Sequence, residues 1–231
     1  MEKKIYAVDI ETTGLDRFNS SILQLSIVDD KLNTIYNSYF CPDTKAWNVE
    51  ATKNGITYDM VKNAPSLSDE KAKIIEILKQ ADVIVTFNGD HFDLPFIEYR
   101  VGYKNKAESF DVMKEALKNF ALYKHNMMRP SLALTCEWFG ITNYQAHNSE
   151  ADAKATMEIY LKMQEELQKP ELIDIYEFSD GKKIYTKVLA DKYASQSGAS
   201  IVKTVYLENG KLVNNPDISK YRKSNFIKEK K

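Results

Sequence analysis

The sequence predicts an α/β fold, a mixed central sheet flanked by helices, followed by a small C-terminal extension. Three observations point there. Strand-like segments open the chain as a meander. A short, continuously apolar run at 83–87 (VIVTF) has the pattern of a buried parallel strand. Helical segments then alternate with it and follow it.

Residues 4–10 (KIYAVDI) are β-branched and aromatic and break at Thr12-Thr13-Gly14, which reads as a first strand ending in a turn. The segments 22–30 (ILQLSIVDD) and 33–42 (NTIYNSYFCP) are strand-like and lie either side of Lys31-Leu32. Pro65 and Ser66, followed by Ser68-Asp69-Glu70, cap a helix over KAKIIEILKQ with Ile74, Ile75 and Leu78 on one face. After VIVTF come Asn88-Gly89-Asp90 and a helix over 91–103. Further helices fit 111–123, 131–139 and 150–168, the last ended by Pro170. The expected division is a domain over 1–170 and an extension over 171–231. In the extension, 201–207 and 211–213 flank Glu208-Asn209-Gly210, a β-hairpin signal.

The length, 231 residues, suits one sizeable domain with an appendage, and 43% hydrophobic against 28% charged residues is an ordinary globular balance. Net charge is −1, which excludes the overall basic excess of a dedicated nucleic-acid binder. The charge is uneven: residues 171–231 hold twelve Lys/Arg against eight Asp/Glu, leaving the first 170 acidic. Cys41 and Cys136 have no metal-type spacing and read as reduced core residues. No apolar run reaches the roughly 18 residues a membrane span needs, and the apolar run at the start is too short for a signal peptide. The expectation is a cytoplasmic protein with no membrane partner.

Three acid-bearing segments stand out. Asp9 and Glu11 are two apart on the first strand, so both project from one face while Val8 and Ile10 point the other way. Two acids on a core strand are costly unless a cation neutralises them, although a solvated face explains a bare D-x-E equally well. The Thr12-Thr13-Gly14 turn brings backbone N–H groups close to these acids, a setting for an anionic ligand. Asp93 lies six residues past VIVTF at the start of a helix, in an apolar setting; a helix N-terminal acid is the plainer alternative. Asp90 competes with it and reads as a cap. His147 falls just before a helix that starts near Ser149, with Glu150 and Asp152 in its first turn. All three segments fall at strand ends or helix starts, where one α/β sheet brings them together. Four converging carboxylates would hold two hard divalent cations, Mg²⁺ or Mn²⁺, roughly 3.5–4 Å apart.

These segments resemble the three motifs of the DEDD exonuclease superfamily, the DnaQ-like group that contains the epsilon proofreading subunit of bacterial DNA polymerase III. The first is Asp9-Ile10-Glu11-Thr12-Thr13-Gly14, the second runs from Asn88 through Asp93 to Ile97, and the third is His147 followed five residues later by Asp152. That last spacing is similar to the histidine (DEDDh) branch; Asn148 stands where the other branch would carry tyrosine. Phe87 stands where epsilon-like members often have histidine, and the stretch after Gln145, through Ala151-Asp152-Ala153-Lys154-Ala155-Thr156 and on to Pro170-Glu171-Leu172, resembles bacterial exonuclease I.

The resemblance covers about residues 4–168 and implies a ribonuclease H-like fold. It also implies a metal-dependent 3′→5′ exonuclease releasing nucleoside 5′-monophosphates from single-stranded 3′ ends, DNA favoured over RNA. By the same resemblance Asp9, Glu11, Asp93 and Asp152 bind two Mg²⁺ or Mn²⁺, and His147 is the general base. Thr12, Thr13, Leu15, Asn88 and Phe92 line the terminal-nucleotide pocket. For Leu15 and Phe92, ordinary core packing is an equal alternative. A proofreading subunit or an RNA-trimming enzyme would use the same chemistry, and a catalytically silent binding module is the reading of another class. The extension could dock a polymerase or a second copy, and its basic end (Lys220, Arg222, Lys223, Lys228, Lys230, Lys231) could contact phosphates.

Overall fold

The computed structural model describes residues 3–119, 130–142, 146–170, 172–184, 187–208, 211–217 and 220–221. The chain forms two compact units: Met1–Lys114 with Ser131–Leu161, and Glu115–Pro130 with Lys162–Lys231.

In the first unit β1 (Ile5–Thr12) pairs antiparallel with β2 (Ile22–Asp29), which pairs antiparallel with β3 (Thr34–Tyr39). On its other edge β1 pairs parallel with β4 (Val83–Thr86), and β4 pairs parallel with β5 (Glu108–Asp111). The result is a mixed five-stranded sheet in the order β3-β2-β1-β4-β5. All four β4 residues are buried, as expected of a strand covered on both faces.

Alternation along β1 sorts its side chains. Tyr6, Val8 and Ile10 enter a core with Leu25 and Ile27 of β2, Ile74 and Leu78 of α3 (Leu67–Leu78), and Phe96, Ile97 and Val101 of α4 (Asp93–Val101). Asp9 and Glu11 take the opposite face, where their cross-strand partners are Ser26 and Gln24. Ser66 caps α3, its Oγ accepting the N–H of Asp69 at 3.2 Å. Two short helices, α1 (Val49–Thr52) and α2 (Tyr58–Val61), lie between β3 and α3. They are followed in sequence by α5 (Val112–Asn119), α6 (Leu132–Phe139) and α7 (Ser149–Gln168).

The helix expected over 111–123 instead begins at Val112, because residues 108–111 extend the sheet as β5; positions 120–123 lie outside the described residues. In the second unit β6 (Leu172–Phe178) pairs antiparallel with β7 (Lys183–Ile184) and with β8 (Ile201–Glu208), and β8 with β9 (Lys211–Val213). Helix α8 (Lys187–Ser197) packs Ala190, Tyr193 and Ala194 against Tyr176 and Phe178. Asn209 and Gly210, expected to turn between β8 and β9, and the basic stretch 222–231 lie outside the described residues. Among the described residues no helix is long and apolar enough to cross a membrane.

Candidate active site

The sheet's polar face positions the acids. Within the otherwise apolar β2, Gln24 and Ser26 are buried beside Glu11 and Asp9. They receive the start of α7: the Oγ atoms of Ser26 and Ser149 are 2.7 Å apart, and the N–H of Ser149 donates to Gln24 Oε1 at 3.3 Å. Glu150 turns away from the acids and accepts hydrogen bonds from Thr34 and Asn37 of β3, at 2.6 and 2.7 Å. Asn148 caps the helix through the N–H groups of Glu150 and Ala151. With its first turn tied down this way, α7 delivers Asp152 to Asp9 and Glu11. One carboxylate oxygen from each of the three lies within 4.8 Å of the others.

Asp93 approaches from α4 and is 97% buried. The β1–β4 pairing ends at Ala7 and Val85. Beyond it the N–H of Ile10 donates to Asp93 Oδ1 at 3.1 Å, so a carboxylate takes a backbone donor that β4 does not reach. The preceding turn needs glycine at 89, where a Cβ would come within 2.3 Å of the Thr86 side chain. Asn88 adopts φ 63° there.

Burial and mutual repulsion raise the proton affinity of Asp9, Glu11 and Asp93. Burial, then the charges of Asp93, Asp152 and Glu11, push the Asp9 carboxyl well above the usual carboxylate range. Burial pushes Glu11 up to about 8, against an opposing hydrogen bond from Asn54 and with added repulsion from Asp152 and Asp93. Asp93 is pushed up to about 7 by burial, even though the Ile10 N–H favours its ionised form. An all-oxygen set of mutually repelling acids is the donor chemistry that hard divalent cations satisfy.

The cluster lies in an open cavity of about 980 Å³, lined by Asp9, Glu11, Asn88, Phe92, Asp93, His147 and Asp152 among others. His147 is exposed, adopts φ 66°, and donates its backbone N–H to Asp152 Oδ2 at 3.0 Å. The Oδ1 of Asn88 is buried with no partner among the described residues. Thr12, Thr13 and Leu15 do not line the cavity. The Thr12 hydroxyl donates to the Gly14 carbonyl, and Thr13 Oγ1 accepts from the Ser21 N–H; both bonds close the loop after β1. Leu15 is 83% exposed, so core packing does not account for it.

Three contributors escape the sequence motifs. Asp111, buried at the end of β5, accepts the N–H groups of Asn88 (3.0 Å), Asp90 (3.3 Å) and Lys114 (3.2 Å), holding the turn that leads to Asp93. Its only sequence signal is an acid placed just before a helix. Lys53, at φ 59°, and α6, through Ser131, Leu132 and Cys136, complete the cavity wall. Asp90 hydrogen-bonds Ser109 and pairs with Lys114, away from the acid cluster.

Acids gathered from one strand and two helix starts beside a mixed sheet suit a metal-dependent hydrolase. Residues 6–160 match the RNase_T exonuclease family model, and the chain belongs to that family, within the DnaQ-like (DEDDh) superfamily. It is 31% identical over 176 residues to the PolC-type DNA polymerase III of Caldanaerobacter subterraneus, covering 73% of this chain and 12% of the polymerase. It is 29% identical to the DNA polymerase III epsilon subunit of Aquifex aeolicus, covering 69% of this chain and 80% of that one. It is 27% identical to RNA exonuclease 4 of Xenopus tropicalis, covering 67% and 36%. The chain therefore spans about an eighth of the PolC-type polymerase and about a third of the RNA exonuclease. The fold is similar to E. coli exonuclease I in complex with a dA16 oligonucleotide, with a TM-score of 0.57 at 15% identity over 89% of this chain and 51% of that one.

Proposed function

We propose that this chain is a 3′→5′ exonuclease that removes nucleoside 5′-monophosphates from single-stranded nucleic acid, DNA in preference to RNA, with two Mg²⁺ or Mn²⁺ ions. The observation that carries the reading is the gathering of Asp9, Glu11 and Asp152 within 4.8 Å, joined by Asp93 through its bond to Ile10. Exonucleases of this family depend on divalent metal. Held by these four carboxylates, two such cations would neutralise charge developing on the attacking and leaving oxygens.

The remaining work falls to this chain's other residues. His147, on the cavity wall and anchored by its main chain to Asp152, takes the proton from the attacking water. Water adds to the phosphorus of the terminal phosphodiester and the P–O3′ bond breaks; the departing 3′-oxygen takes a proton from solvent, leaving a 3′-hydroxyl on the shortened strand. Asn88 offers its unpartnered Oδ1 to a donor on the terminal nucleotide, and Phe92 offers an apolar wall. The preference for DNA is supported by the PolC-type and epsilon relatives, both DNA polymerase chains by name.

The test is degradation of matched 3′-labelled DNA and RNA strands, single and double, in Mg²⁺, Mn²⁺ or EDTA. Stepwise release of 5′-monophosphates from single-stranded DNA, lost in EDTA and in Asp9→Ala, is the expected result. Degradation of RNA alone would overturn the DNA preference. Strand binding without metal-dependent cleavage would instead indicate a silent binding module.

A further inference from the structure

We propose that Phe18 and Tyr99, with Arg17 and Arg100, form a stacking step for a single-stranded nucleic acid, engaging a nucleotide upstream of the terminal one. The inference rests on the exonuclease reading only for which end of the strand is bound.

Phe18 is 55% and Tyr99 52% exposed, yet their rings meet edge-to-face at 5.0 Å and 78°. Apolar rings left this open and side by side mark a contact surface better than they mark packing. Each ring carries an arginine: the Arg17 guanidinium lies 4.7 Å from the Phe18 centroid, and that of Arg100 5.4 Å from Tyr99. The chain has only four arginines among its 32 basic residues, and two of them stand here. A planar guanidinium on an aromatic face can stack with a base and bond a phosphate, which a lysine ammonium does not do.

The step is rigid. The Asp16 carboxylate accepts the Phe18 N–H at 3.0 Å and the Asn19 amide at 2.6 Å, and the Asp16 carbonyl accepts the N–H of Ser20 at 2.8 Å. These bonds occupy the nearby acid. Arg100 donates to the Phe18 carbonyl at 3.0 Å, which joins the loop to α4, while its Nε–H has no partner among the described residues. The chain also links the step to the elements that carry the acids. The Phe18 loop follows directly from β1, closed by Thr13 and Ser21, and Tyr99 lies six residues along the helix that Asp93 begins. At 1.5 Å per residue that is about 9 Å along the axis, a span that suits an upstream nucleotide rather than the terminal one.

The probe is 5′-fluorescein-labelled dT12 with phosphorothioate 3′ linkages, which resist hydrolysis, compared with the equally labelled dinucleotide dT2, whose single inter-nucleotide step is shorter than that span. Binding to the full chain in Mg²⁺ is read by anisotropy. In Phe18→Ala/Tyr99→Ala the Kd for dT12 should rise about tenfold while that for dT2 changes less than twofold. Phe18→Leu/Tyr99→Leu, which keeps apolar cover, should weaken dT12 binding similarly and excludes a folding defect. Arg17→Gln should lower the salt dependence of dT12 binding by just under one phosphate contact. An unchanged dT12 affinity in both double variants, equal losses on dT2, or no dT12 binding by the wild-type chain would overturn the step. Failure of the exonuclease reading would appear separately, as an unmodified dT12 left intact in Mg²⁺ and Mn²⁺.

Discussion

Asp93 Oδ1 accepts a hydrogen bond from the backbone N–H of Ile10 at 3.1 Å, docking the acid of α4 onto the strand that carries Asp9 and Glu11. The bond does two things. It satisfies a buried donor beyond the last β1–β4 pair, and it fixes the orientation of the Asp93 carboxylate, which under the proposed function would join the other acids in holding a cation. Charge and acceptor are separable by mutation. Asp93→Asn keeps an acceptor for Ile10 and removes a buried charge, so nuclease activity should fall roughly a hundredfold or more while the metal-free protein becomes no less stable. Asp93→Ala should lose activity and also about 1–3 kcal/mol of stability, because the Ile10 donor is stranded. Urea melts of both variants alongside activity check this; equal destabilisation by the two would show that the bond contributes little.

The carboxyls of Asp9, Glu11 and Asp93 are all raised in the fold, Glu11 to about 8 and Asp93 to about 7. In the unfolded chain such groups titrate near 4. Between about pH 4 and 8 the folded state therefore binds more protons than the unfolded one, and stability must fall as pH rises through that window. Metal-free protein should show a falling Tm from pH 5 to 8.5. A divalent cation favours the ionised acids, so the rise in Tm on adding Mn²⁺ should itself grow with pH. Differential scanning fluorimetry with and without EDTA reads both trends. A Tm shift on Mn²⁺ that is independent of pH would contradict cation binding by these acids.

Much of this arrangement was legible in the sequence because it follows from local periodicity. The alternation around Asp9 and Glu11, the apolar VIVTF and the positions of Asp93, His147 and Asp152 beside helix starts all depend on neighbours in the chain. The motif resemblance then joined segments that no local rule connects. What escaped depends on tertiary closure. β5 is four residues of ESFD, too short and polar to announce a strand, and it is held by parallel pairing to β4. β6, β7 and α8 were missed as well, since their packing is with one another rather than with a motif. Gln24 and Ser26 were visible as polar residues in an apolar strand, but their role appears only when Ser149 is placed against them.

Asp111 is the clearest instance of such closure, since two of its three partners, the N–H groups of Asn88 and Asp90, lie more than twenty residues away. Asp111→Ala would strand the N–H groups of Asn88 and Asp90 and loosen the turn that aims Asp93. Stability should fall by about 1–3 kcal/mol, and activity should fall although Asp111 does not line the cavity. Asp111→Asn keeps one acceptor oxygen and should recover part of both. Because Asp111 acts through Asp93, its loss should weaken Mn²⁺ binding, measured by calorimetry. Unchanged Mn²⁺ affinity in a folded Asp111→Ala protein would limit its role to stability.

His147 combines a chemical role with backbone strain, and the two can be pulled apart. Its φ of 66° lies in the left-handed region, which a non-glycine residue occupies at a cost of order 1 kcal/mol or more. The backbone N–H that this conformation presents is the one bonded to Asp152, so strain is spent on positioning a candidate ligand. His147→Gly keeps that N–H, relieves the strain and removes the imidazole. It should leave Tm unchanged or slightly higher, keep Mn²⁺ binding, and cut the rate by about 10²–10⁴-fold. His147→Ala should lose the same rate without the relief, so its Tm should lie below that of the glycine variant. Retention of full activity in either variant would remove His147 from the proton-transfer step and reduce it to the main-chain anchor of Asp152.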